Sequence, residues 1–151
     1  MQAKTIIKAI VAITVIPILA GCASSMPKDF FSPVPDKDYS NMYLRGVFNW
    51  WEASEGFKLM PISTDTYAAS FELIADGQPY DFKVADANWT MELNCGSQYA
   101  DSPLELDDAV ELNCEADSLN LQFTPNETGN YRFVLDVSDN DEPELLIVRI
   151  D

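Results

Sequence analysis

"TYAASFELIADGQPYDFKVA", Thr66 to Ala85, holds two alternating runs on either side of a turn signal. In the first run Tyr67, Ala69, Phe71 and Leu73 share one face, with Thr66, Ala68, Ser70 and Glu72 opposite. In the second, Tyr80, Phe82 and Val84 oppose Asp81 and Lys83. Successive side chains of an extended strand point to opposite faces, so this period of two predicts half-buried antiparallel strands. The intervening "ADGQP" supplies Asp-Gly and Pro, the chemistry of a tight turn.

The pattern continues outward from there. "LNLQF" places Leu119, Leu121 and Phe123 inward, and "YRFVLDV" does the same with Tyr131, Phe133, Leu135 and Val137. "TPNETGN" and "SDNDEP" supply further turns. With "MYLRGVF", "FKLMPI", "TMELN", "LELDDAVELN" and "ELLIVRI", about eight or nine short strands are expected. No window has the spacing of an amphipathic helix. Residues 41–151 therefore read as one all-β domain, a β-sandwich.

The first 21 residues read as a secretory address. Lys4 and Lys8 precede the apolar "AIVAITVIPILA", and "LAGC" closes it at Cys22. The run is short for a bilayer crossing and Pro17 interrupts it. "LAGC" resembles the lipobox of bacterial lipoproteins. That resemblance implies cleavage before Cys22 and its acylation, palmitate included, with membrane lipid as the anchor. Ala23 in place of an aspartate points to the outer membrane. Residues 22–40, rich in Ser, Pro and charge, are expected to form a flexible tether, with Phe30 and Phe31 able to dock on the domain.

Composition excludes several classes. Loss of Lys4 and Lys8 would move the formal charge from −16 to −18, which disfavours a nucleic-acid partner. Without histidine, imidazole catalysis and most transition-metal sites are closed, and no cofactor is expected. The acidic "DVSDNDEPE" could offer oxygens to Ca²⁺, but it lacks the spacing of a helix-loop-helix site and reads as a solvated turn. With so many acids some carboxylate pair is inevitable, and the domain is small for a glycosidase scaffold, so an enzyme is not expected. Cys95 and Cys114 each end the tetrapeptide "ELNC", and in an exported protein they are expected to form a disulfide adding about 3 kcal/mol at best.

"GVFNWWEASEG", Gly46 to Gly56, puts two tryptophans where the chain should turn. If Leu44, Gly46 and Phe48 point inward, Trp50 continues that parity and should pack, leaving Trp51 displayed. Trp89, in "ADANWTMEL", lies in a second turn just after the strand bearing Lys83. Indoles offer flat apolar faces for the C–H patch of a pyranose ring, and Lys83, Asn49 and Asn88 could hydrogen-bond its hydroxyls. Rings set at an angle suit a curved polymer such as an α-1,4-glucan; coplanar rings suit a straight one.

"YLRGVFNWWEA…YAASFEL…YDFKVADANW" resembles the starch- and glycogen-binding modules of carbohydrate-binding module family 48. The close, "GNYRFVLDVSDNDEPELLIV", resembles that of pullulanase-associated modules. The likeness spans about residues 42–150. It implies an immunoglobulin-like early-set sandwich that binds α-glucan or maltooligosaccharide through Trp51, Trp89 and Lys83, with Asn49 on the asparagine of the Asn-x-Trp motif, where it either touches sugar or positions the turn. Two positions depart from the pattern: position 50, usually small, is Trp50, and the Cys95–Cys114 segment is an elaboration. A separate amylase or pullulanase would be the partner of such a non-catalytic lipoprotein. The alternative, in a different class, is an envelope lipoprotein that uses the sandwich for protein assembly and has no sugar site.

Overall fold

A computed structural model describes residues 36–151, within a compact unit of Pro35–Asp151. The signal segment, Cys22 and most of the tether, with Phe30 and Phe31, lie outside the described residues. Nine strands run β1 (Met42–Gly46), β2 (Met60–Pro61), β3 (Thr66–Leu73), β4 (Tyr80–Asp86), β5 (Asn94–Cys95), β6 (Val110–Glu111), β7 (Leu121–Phe123), β8 (Gly129–Asp136) and β9 (Glu144–Arg149). There is no α-helix among the described residues, only three single 3₁₀ turns. The domain is an all-β sandwich, as the alternation predicts.

One sheet is centred on β4, which pairs with β1 along one edge and with β5 and β7 along the other. The second sheet has the order β2-β3-β8-β9-β6. All pairings between named strands are antiparallel. The turn "ADGQP" does not make a hairpin. It carries the chain from β3 in one sheet to β4 in the other, with Gly77 at a φ of 83° that favours glycine.

The inward residues of the two sheets meet. Phe133 of β8 stacks on Phe71 of β3 at 5.0 Å and meets Phe82 of β4 edge-on at 5.4 Å. Phe48, just past β1, joins this cluster by stacking on Phe57 at 5.0 Å. Burying rings of this size is the main favourable contribution of such a core. It also clamps both ends of the segment that carries Trp50 and Trp51. Gly46 lets β1 lie close against β4 at that point, because a Cβ there would come within 2.5 Å of Asp81 O and Phe82 Cβ.

Cys95 and Cys114 are joined in a disulfide, and Gly96 and Asn113 beside them exchange reciprocal backbone hydrogen bonds. The echoed tetrapeptides thus meet as paired chain ends, tying β5 of one sheet to the segment after β6 of the other. Several elements are shorter than the sequence suggests. "TMELN" is mostly a 3₁₀ turn, "LELDDAVELN" contributes two strand residues, and Leu119 is exposed because it precedes β7. Tyr39, expected in the tether, is buried, and its hydroxyl donates to Asn140 O at 3.0 Å. Lys37 N donates to Asn140 Oδ1 at 2.9 Å, so the packed chain begins before residue 41.

Candidate carbohydrate-binding site

After Gly46 the chain leaves β1 through a 3₁₀ turn, Val47–Asn49, and then turns sharply. Trp50 and Trp51 both take left-handed conformations, with φ of 55° and 63°, and Trp89 does the same at 56°. All three tryptophans of the chain are therefore held in a region that costs a non-glycine residue about 1–3 kcal/mol. Three such residues persist only because their surroundings fix them.

Asn49 provides one fixture. It is buried, accepts from Gly46 N at 2.9 Å through Oδ1, and donates through Nδ2 to Leu44 O at 2.9 Å and Glu52 O at 3.1 Å. Each arm of the amide thus closes part of the turn. Of the two roles the sequence leaves open for Asn49, these bonds match the second: its amide shapes the turn.

Arg45 provides the second fixture, and sequence reasoning missed it. This buried side chain donates from Nε to Trp51 O at 2.8 Å and from Nη1 to Asp86 O at 2.8 Å and Ala87 O at 3.2 Å. Its guanidinium carbon lies 3.8 Å from the centre of the Trp89 ring. One planar, rigid cation therefore ties the turn of Trp51 to that of Trp89 and covers one face of the second indole. Burial lowers its pKa, while the nearby carboxylates of Asp86 and Glu52 act in the other direction. Asp86 secures the second turn by accepting from Thr90 N at 2.8 Å and Thr90 Oγ1 at 2.7 Å.

The outcome is a pair of indoles, Trp51 and Trp89, with ring centres 6.5 Å apart and planes inclined by 38°. Trp89 is 37% exposed and Trp51 partly buried. The parity argument failed for both adjacent tryptophans: Trp51, expected on display, is the partly buried ring. Trp50, expected to pack, is 88% exposed. Strand alternation stops at Gly46, and the 3₁₀ turn Val47–Asn49, capped by the left-handed Trp50, sets the direction in which position 50 points.

Lys83 lies directly opposite Arg45 across the β1–β4 pair, on the same outer face. Its ammonium donates to Ser118 O at 2.7 Å and Ser118 Oγ at 2.8 Å, and burial holds its pKa below the usual lysine range. Two of its three donors therefore hold the loop before β7, a use that the sequence did not signal. Asn88 is exposed beside Trp89. In the acidic turn Asp136 and Asp139 accept from the backbone of Ser138 and Asp141, at 2.8 and 3.1 Å. No group of three or more His, Cys, Asp or Glu among the described residues is placed to hold a metal ion.

No protein-family model matches the chain, and no curated protein matches it. The fold is similar to that of a solved starch-binding domain, described as the ligand-induced structure of AmyP-SBD. The TM-score is 0.55 over 93% of this chain and 97% of that one, at 14% sequence identity. At that identity the likeness is one of fold. It shows that this sandwich is an architecture on which a carbohydrate-binding domain is built, and function has to be argued from the site.

Proposed function

We propose that the domain binds α-glucan non-catalytically, with Trp51 and Trp89 as the seat for neighbouring sugar units. The observation that carries this reading is the inclination of the paired rings, 38° at 6.5 Å. Coplanar rings would favour a straight polymer, whereas inclined ones follow a curved chain such as starch, glycogen or a maltodextrin. The rigid support beneath them adds to the case, because a seat already in place loses little entropy when ligand arrives. The starch-binding neighbour and the resemblance to family 48 modules agree with this reading.

The protein acts as a lipoprotein in this proposal, anchored in the outer membrane through acylated Cys22 and holding polysaccharide for separate hydrolases. Mass spectrometry of the membrane fraction tests the anchor: an acylated peptide beginning at Cys22 is expected, and an unmodified cysteine contradicts it. Affinity electrophoresis tests the ligand. Glycogen or amylopectin in the gel is expected to retard the wild type and to leave a Trp51→Ala/Trp89→Ala variant unretarded. Equal migration of the two overturns the reading and returns the domain to protein assembly in the envelope.

A further inference from the structure

A groove of about 410 Å³ opens at the turn that leads into Trp89, lined by Asp38, Asn41, Tyr43 and Leu93, with residues 86–88 as one wall. Tyr43 and Arg45 are two residues apart on β1, so both side chains leave its outer face, about 7 Å apart along the strand. Arg45 supports the indoles, and Tyr43 lines the groove. The wall and Trp89 belong to one turn, since Arg45 Nη1 holds the carbonyls of Asp86 and Ala87 while its guanidinium stacks on Trp89. Groove and ring pair are thus neighbouring parts of a single supported surface.

The chemistry of the groove resembles that of the pair's expected ligand. Its volume falls in the range of small-molecule sites, about 300–1,000 Å³. Leu93, with the mostly buried Tyr43, supplies the apolar part of the lining, Asn41 and Asn88 supply amide donors and acceptors, and Asp38 supplies a carboxylate. No lining residue is cationic, which disfavours phosphate or carboxylate ligands and suits uncharged hydroxyl groups.

We propose that this groove is a second sugar subsite, continuous with the tryptophan pair, that takes further uncharged glucosyl units of the same chain. The inference rests on the α-glucan reading and adds that the domain recognises a length of polymer. The test is calorimetric titration with maltose and with maltoheptaose. Wild type is expected to bind maltoheptaose about tenfold more tightly than maltose. An Asp38→Ala/Asn41→Ala variant, which removes two exposed polar groups of the groove, should lose most of that difference and bind maltose as the wild type does. If the variant keeps the full preference for the longer chain, or loses affinity for both sugars in parallel, the groove is not a subsite. In that case a fall of about fivefold or more in affinity for both sugars in Trp89→Ala still upholds the ring pair. If the wild type binds neither sugar, the subsite and the glucan reading fall together.

Discussion

The guanidinium of Arg45 lies 3.8 Å from the centre of the Trp89 ring while its Nε holds the carbonyl of Trp51, so a single side chain joins the two turns of the site. Lysine keeps the charge but loses the planar fork and the stack. Arg45→Lys is therefore expected to weaken glucan binding about tenfold, since a change of about 1.4 kcal/mol in positioning suffices. The tryptophan near-UV circular dichroism should change in parallel. Unaltered affinity and spectrum would show that the turns hold their places without it.

Asn49 sits at the base of the first turn. Asn49→Ala removes its three hydrogen bonds and leaves the Gly46 N–H and the Leu44 carbonyl with a lost partner. A loss of about 2–4 kcal/mol in urea denaturation is expected, from about 1–3 kcal/mol per stranded buried group. Binding at temperatures well below the melt should weaken too, because the left-handed pair at Trp50 and Trp51 loses its brace. A stability change under about 0.5 kcal/mol, the ordinary surface value, would contradict this role.

Tyr39 gives the domain a pH dependence at the alkaline end. Burial, with a smaller contribution from Asp141, raises its phenol to about 12 from an ordinary value of 10.0. Between those values the unfolded chain gives up the proton and the folded chain retains it, so stability falls as pH rises. The slope from this group approaches about 1.4 kcal/mol per pH unit and vanishes below pH 10. Denaturation of wild type and Tyr39→Phe across pH 9–12 measures it by difference. Parallel pH profiles would contradict the assignment.

The Cys95–Cys114 bond closes a separation of 19 residues and ties segments that belong to different sheets. Reduction, or the Cys95→Ser/Cys114→Ser variant, is expected to cost about 3 kcal/mol and to lower the melting temperature by about 12 °C. Glucan affinity measured below the melt should be retained, since the bond touches neither Trp51 nor Trp89. A fall in affinity with no change in stability would contradict that separation.

Much of the fold was legible because Phe71, Phe82, Phe133 and Leu135 obey the period of two of half-buried strands. The paired "ELNC" endings likewise marked the disulfide. Legibility ended where the chain left the strands. Strand parity extended past Gly46 packs Trp50 and displays Trp51, whereas the turn beyond β1 sends Trp50 to solvent and leaves Trp51 partly buried. Asn49 and Lys83 are residue types that bind sugar hydroxyls, but in this chain their polar groups serve Gly46, Leu44, Glu52 and Ser118. Arg45 gave no sign, because its partners are backbone carbonyls and a ring more than forty residues away. The conjunction of Trp51 and Trp89 was anticipated as a pair; its inclination is a property of three dimensions.

The most direct measurement is calorimetric titration of maltoheptaose into wild type, Trp51→Ala and Trp89→Ala. Two rings each contributing about 1 kcal/mol beyond buried area give modest affinity, roughly tens of micromolar to millimolar. Wild type should bind in that range, and each variant should weaken by about fivefold or more. Wild-type heats indistinguishable from dilution, or three equal isotherms, would contradict the claim that this indole pair is a seat for α-glucan.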